Sequence, residues 1–241
     1  MEKSKIEWTD TTWNPVTGCT KLSAGCKNCY AETMSRRLKA MNVNKYKNGF
    51  NVSLHDNVLL EPYKWKSPHK VFVNSMSDLF HEEVPFDFVD KIFNVIQETP
   101  QHQYQVLTKR ANRMQEYFSN KSLPNNVWIG VTVEDANCKE RIDFLNKIKA
   151  TIKFISFEPL LGDLGKLDLS CIDWVIVGGE SGSKARPMKE EWVSNILIQA
   201  KKKKIPFFFK QWGTWSVDGI KRSKKANGCM LLGKTYKEFP L

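Results

Sequence analysis

The 241-residue sequence holds no apolar run of about 18 residues, which excludes a membrane-spanning helix. No stretch ahead of Trp13 pairs a charged start with an apolar core, so no export leader is expected. Histidine is scarce: His55, His69, His81 and His102 are the full set, and none stands in the H-x3-H spacing of a metal-binding helix. The dinucleotide fingerprint G-x-G-x-x-G is absent, and there is no second Cys-x2-Cys pair to complete a four-cysteine zinc ribbon. No internal repeat occurs, and the only low-complexity tract is Lys201 to Lys204, which excludes solenoids and propellers. With 41% hydrophobic and 26% charged residues, neither disorder, collagen nor coiled coil fits. A soluble cytoplasmic chain with reduced thiols is the expectation, with one main folded domain.

What is present in excess is positive charge, and it is unevenly placed. Of the net +11, residues 201 to 241 carry +9 and residues 34 to 70 carry +6, while residues 71 to 200 come to −4. Two basic segments around a mildly acidic middle point to a polyanion, with Trp212, Trp215, Tyr236 and Phe239 placed to stack on bases. Lys221, Arg222, Lys224, Lys225 and Trp215 are the candidate nucleic-acid contacts. A solvated lysine-rich tail is the plainer alternative.

Apolar β-rich runs recur at Val71 to Met76, Tyr104 to Thr108, Val127 to Val133, Phe154 to Phe157, Trp174 to Val177 and Pro206 to Lys210. Between them, Phe88, Val89, Ile92, Phe93, Val95 and Ile96, and later Trp192, Ile196, Leu197 and Ala200, follow helical spacing. Strand and helix therefore alternate, and continuous apolar strands predict a parallel sheet covered on both faces, an α/β fold best read as a full or partial barrel. Residues 43–70 read as a long insertion. A boundary near Gly213 makes residues 1–212 the barrel domain and 213–241 a basic, aromatic C-terminal appendage.

Chemistry in such folds gathers at the carboxyl ends of strands. Ser75 and Asp78 follow one apolar run, Thr108, Lys109 and Arg110 the next, then Glu134, then Glu158-Pro159, then Gly178, Gly179, Glu180 and Ser181, and finally Lys210 and Gln211. Any one of these is an ordinary loop residue, but together they predict a common rim.

The sharpest motif is Cys19-x6-Cys26-x2-Cys29-Tyr30, followed by a helix-like stretch from Ala31 to Met41. Three thiols within eleven residues suit a metal or an iron–sulfur cluster with one coordination position left open. A zinc site with a distant fourth ligand and a disulfide are the alternatives that spacing leaves open. Cys138, Cys171 and Cys229 read as scattered, incidental thiols.

Cys19, Cys26 and Cys29-Tyr30 at the start of an α/β chain resemble the cluster loop of the radical S-adenosylmethionine (SAM) enzymes. Trp8-Thr9-Asp10, Trp13-Asn14-Pro15-x2-Gly18-Cys19, Ser77-Asp78-Leu79-Phe80, Leu107-Thr108-Lys109-Arg110, Phe157-Glu158-Pro159-Leu160-Leu161 and Gly178-Gly179-Glu180-Ser181-Gly182 resemble, more closely, a phage and bacterial three-cysteine protein family grouped with them. The likeness covers roughly residues 6 to 215. It departs from most radical SAM enzymes in the first cysteine spacing, six residues instead of three. It departs again where Ser75-Met76-Ser77-Asp78 stands in place of a Gly-Gly-Glu after the second strand.

The resemblance implies a barrel of the radical SAM type and a [4Fe–4S] cluster on Cys19, Cys26 and Cys29. It also implies SAM held by a set drawn from Ser75, Asp78, Thr108, Glu158, Gly178, Gly179 and Glu180, with Asp78 receiving the SAM ammonium. Lys109 or Arg110 would hold a carboxylate or phosphate, and a flavodoxin- or ferredoxin-type reductant would supply electrons. With the basic segments, modification or lesion repair of a nucleic acid is the expected activity. A non-enzymatic nucleic-acid-binding protein with a structural zinc or iron–sulfur site is one rival. A barrel hydrolase or transferase using Glu158 and Glu180 as an acid/base pair is another.

Overall fold

Runs of valine, isoleucine and aromatic residues set the strands, and the positions where polar or left-handed residues interrupt them set the strand ends. The computed structural model describes residues 4–241. The chain divides into two units, the first comprising Met1–Leu22, Cys29–Gly130 and Ile148–Thr151, the second Ser23–Asn28, Val131–Lys147 and Ile152–Leu241.

The first unit contains β1 (Thr11–Trp13), β2 (Val16–Thr17), β3 (Ser53–Leu54), β4 (Lys70–Val73), β5 (Gln103–Thr108) and most of β6 (Val127–Thr132). Its helices are α1 (Tyr30–Ala40), α2 (Phe86–Glu98) and α3 (Ala111–Tyr117). β1 runs parallel to β4 and β4 parallel to β5, with Trp13 level with Val73 and Val73 with Val106. The predicted run Val71 to Met76 stops as a strand at Val73, because Asn74 turns the backbone left-handed at φ 61°. The Asn74 side chain then accepts the Val16 amide at 3.1 Å, tying this turn to β2. α2 buries the residues whose spacing predicts a helix, Phe88, Val89, Ile92, Phe93, Val95 and Ile96. The insertion is ordered: β3 pairs antiparallel with β2, and Tyr46 joins Ala31 and Met76 in a small core that Cys29, Met34, Leu38 and Phe50 flank.

The second unit holds β7 (Ile152–Phe157), β8 (Trp174–Gly178), β9 (Phe207–Gln211) and the short β10 (Met230–Leu231) and β11 (Lys234–Thr235), with α4 (Glu140–Asn146), α5 (Glu190–Lys202) and α6 (Lys224–Asn227). β7, β8 and β9 are parallel neighbours, and every residue of β7 and β8 is buried, as expected of strands covered on both faces. The strand order of the seven-stranded sheet is β1, β4, β5, β6, β7, β8, β9. α5 opens on Glu190 and Glu191 and closes on Lys201 and Lys202, charges that match the helix dipole at both ends. Part of the lysine run thus serves its own helix.

Residues 213–241, expected as an appendage, bond back to this unit. Phe209 donates its amide to Tyr236 O at 2.9 Å, Trp174 Nε1 donates to Glu238 O at 2.8 Å, and the Phe239 ring stacks 5.1 Å from that of Trp174. Among the described residues, no helix is long and apolar enough to cross a membrane.

Candidate functional site

In the first unit the chain reaches Cys19 under tight backbone control. Gly18 adopts φ +84°, and a Cβ there would fall 2.2 Å from Asn51 O, so glycine is required where the insertion passes. The Cys19 amide then donates to Phe50 O at 3.1 Å. Beyond β4, the buried Asp78 accepts four donors: Thr108 Oγ1 at 2.6 Å and the Phe80 amide at 3.0 Å on Oδ1, the Lys109 amide at 3.1 Å and Arg110 Nη1 at 3.3 Å on Oδ2.

Arg110 is the hub of this cluster. Its Nε donates to both Glu82 carboxylate oxygens, its Nη2 to Thr20 Oγ1 at 2.9 Å, and its Nη1 lies 3.5 Å from Cys19 Sγ. Burial alone would lower its pKa, but the negative charge of Asp78, Cys19 and Glu82 raises it above the ordinary value. His81 sits alongside with Nε2 2.8 Å from Thr20 Oγ1, and burial together with Arg110 depresses its pKa. Arg110, expected to hold a substrate anion, is thus committed to internal partners, whereas the Lys109 side chain is half-exposed. Ser75 donates to Asn14 Oδ1 at 3.1 Å, away from the Asp78 carboxylate's own partners.

In the second unit, three carboxylates follow strand ends, each paired with a cation. Glu134, fully buried, accepts Arg141 Nη1 at 2.6 Å and Ser23 Oγ at 2.5 Å. Glu180 accepts Arg186 Nε at 2.9 Å and Nη2 at 2.6 Å, the Arg186 amide at 2.8 Å, and Asn28 Nδ2 at 3.1 Å. Burial would raise the Glu180 pKa, but the donors from Arg186 and Asn28 hold it below the usual glutamate value. Glu158 accepts Ser156 Oγ at 3.1 Å and pairs with Lys210 Nζ at 3.0 Å. Gly178 makes room for it, since a Cβ at residue 178 would fall 2.7 Å from Glu158 Oε1. Gly179 packs against the backbone of Trp212, where a Cβ would come within 1.9 Å of the carbonyl oxygen. Glu158 and Glu180, the acid/base pair of the rival hydrolase or transferase reading, are each paired with a cation of their own, Lys210 and Arg186.

All six cysteines are thiols; Cys19, Cys26 and Cys29 are partly exposed, and Cys138 is buried with its pKa pushed up to about 11 by burial. Three partly exposed thiols within eleven residues have the donor chemistry of a cluster or soft metal. Among the described residues, no group of three or more His, Cys, Asp or Glu side chains is placed to hold a metal ion. By donor type the residues fit the group.

In the tail, Lys221, Arg222, Lys224 and Lys225 are all exposed. Trp215 is half-buried, donates Nε1 to Ala185 O at 2.6 Å and carries Lys221 Nζ 4.7 Å above its ring. Arg222 pairs with Asp218 at 2.7 Å.

A family model matches residues 3–240. The chain belongs to the family described as protein of unknown function (DUF5131). This DUF5131 chain matches the structure of spore photoproduct lyase complexed with dinucleoside spore photoproduct at TM-score 0.50 and 11% identity, over 83% of this chain and 63% of that one. Two mutants of spore photoproduct lyase match at TM-scores of 0.49 and 0.48, each 11% identical, over 74% of this chain and 58% of theirs. No curated protein matches. The likeness establishes the fold, α/β of the radical SAM barrel type.

Sequence reasoning missed Ser23, Asn28, Arg141, Arg186 and His81, which hold the loop and its carboxylates. One signal was available: glycine precedes cysteine at both Gly18-Cys19 and Gly25-Cys26, and both glycines are sterically required.

Proposed function

We propose that this DUF5131 member is a radical SAM-type enzyme whose substrate is a nucleic acid. The observation that carries the reading is a three-thiol loop on a radical SAM-type barrel fold, each glycine–cysteine step of which is anchored to its own unit. Cys19, Cys26 and Cys29 would hold a [4Fe–4S] cluster, which would supply one-electron reductive cleavage of SAM.

The chain's part is to bind, orient and exclude water. Asp78 is proposed to receive the SAM ammonium, which would take the place beside its carboxylate that Arg110 Nη1 now fills at 3.3 Å. Ser75, Thr108, Glu158, Gly178 and Gly179 are proposed to complete the SAM contacts, with Glu180 acting through the segment it holds. The glycines allow close backbone approach. Lys221, Arg222, Lys224, Lys225 and Trp215 are proposed to meet phosphates and a base, and modification or lesion repair is the proposed reaction class. A flavodoxin- or ferredoxin-type protein is the proposed electron donor.

Anaerobic reconstitution with iron and sulfide, followed by reduction in the presence of SAM, tests this reading. Iron bound in proportion to the three cysteines together with 5′-deoxyadenosine formation supports it. Stoichiometric zinc in place of iron, or no SAM turnover with several reductants, overturns it.

A further inference from the structure

We infer that Glu134 and Glu180 are positioning residues that fix the Cys26 segment in the shape its thiol needs to ligate a metal, an assignment that rests on the cluster reading above. The segment Ser23–Asn28 has little structure of its own. It is a single 3₁₀ turn, closed by Cys26 N to Ser23 O at 3.0 Å and Lys27 N to Ala24 O at 3.2 Å. Such a turn frays unless something outside it holds its ends.

Both ends are held, and by the same device. At the start, Ser23 Oγ donates to Glu134 Oε1 at 2.5 Å. At the finish, Asn28 Nδ2 donates to Glu180 Oε2 at 3.1 Å and to Lys184 O at 2.9 Å. Each acceptor is a buried carboxylate just past a strand, Glu134 after β6 and Glu180 after β8, and each is neutralised by an arginine, Arg141 or Arg186, at 2.6 Å. A bond to an acceptor that also carries an arginine partner is charge-assisted, and the arginine holds the carboxylate in place. Two strand-mounted anchors bracket Cys26, three residues from one and two from the other.

Gly25 supplies the independent sign that the fit is close. A Cβ there would lie 2.4 Å from Glu134 Oε1, 2.5 Å from its Cγ and 2.8 Å from its Cδ. The turn therefore rests directly on the Glu134 side chain, which Arg141 Nη1 holds from the other oxygen at 2.6 Å. Glutamates so committed do not serve as acid/base catalysts; they hold a ligand's backbone.

The test breaks the loop side of the hold and leaves the buried ion pairs intact. In the metal-free full-length protein, hydrogen exchange of the amides in residues 23–28 is compared between the parent and Ser23→Ala/Asn28→Ala. Exchange there is expected to accelerate at least tenfold with the rest of the chain unchanged, and Ser23→Thr, which keeps the hydroxyl, is expected to stay at the parent rate. After anaerobic reconstitution, iron per chain in the double variant is expected to fall at least threefold. Unchanged exchange overturns the inference, and so does faster exchange with undiminished iron. If the parent takes up no iron, the cluster reading and the metal role of the hold fall together, and the exchange result alone reports whether the two glutamates fix the loop.

Discussion

Arg110 Nη1 lies 3.5 Å from Cys19 Sγ. The first thiol of the loop is therefore the neighbour of a cation that is buried and bound to Asp78 and Glu82. Such a cation favours the thiolate, the form that both ligates metals and reacts with electrophiles. Arg110→Met is expected to slow alkylation of Cys19 near neutral pH several-fold, read by mass spectrometry of the labelled peptide. It should also lower the unfolding free energy by roughly 1.5–3 kcal/mol, because the buried Asp78 loses its charged donor while keeping three neutral ones. Adding Asp78→Asn should recover part of that loss in a double-mutant cycle, and strict additivity would contradict the pairing.

Gly18 and Gly165 separate two kinds of glycine requirement. Both have positive φ, +84° and +57°, but a Cβ on Gly18 meets Asn51 O at 2.2 Å, while one on Gly165 meets nothing within 4 Å. Gly165→Ala should cost about 1 kcal/mol, the strain of a left-handed alanine. Gly18→Ala carries the same strain and must in addition push the insertion away from the chain leading to Cys19, so its loss should be at least 2 kcal/mol larger, within the range of severe substitutions. Denaturant unfolding of the two variants measures both.

Acid should loosen the second unit at the Glu180 contact. The folded pKa of Glu180 is below its ordinary 4.5, so its contribution to stability is complete above pH 4.5 and is lost as pH falls through the lower folded value. His81, whose pKa is held below the ordinary 6.5, adds a second loss of the same sign as pH falls from 6.5 through its folded value. Stability measured by denaturant between pH 8 and pH 3 should fall through both ranges, and Glu180→Gln should make the lower fall shallower, the remainder belonging to other paired carboxylates such as Glu82 and Glu238. A profile of the variant parallel to the parent's at low pH would refute the assignment.

The apolar runs made the six longer strands legible, since continuous burial of β7 and β8 leaves a continuous hydrophobic signature. β1 left none: Thr11-Thr12-Trp13 is too short and too polar to stand out, and it is a strand because β4 lies beside it. The carboxylates at strand ends were legible from position alone. Their partners were not, because nothing in the sequence singles out Arg141 or Arg186, and only the tertiary fold brings them within 2.6 Å of Glu134 and Glu180. The same limit applies to the cysteines: spacing identifies the donors, while what holds the segment around Cys26 depends on residues up to 156 positions away, as with Asn28 and Lys184.

The tail offers the last prediction. Lys221, Lys224 and Lys225 are exposed, and Arg222 pairs with Asp218 in full contact with solvent, where water and salt screen the attraction, so a phosphate can replace Asp218 at little cost. If these four residues meet a single-stranded oligonucleotide, the logarithm of its affinity should fall with the logarithm of salt by about 0.7 to 0.9 per phosphate neutralised. Replacing all four by Gln should flatten that slope by up to about three. Trp215 needs a paired control, because its Nε1 bond to Ala185 O pins the loop and any substitution removes it. Trp215→Phe and Trp215→Leu both lose that bond, but only phenylalanine keeps a ring to stack on a base. The leucine variant should therefore bind more weakly than the phenylalanine variant by roughly 1 kcal/mol or more. Fluorescence anisotropy over a salt series decides it: equal binding by the two Trp215 variants removes the stacking role, and an unchanged slope in the four-Gln variant removes the tail from the nucleic-acid contact.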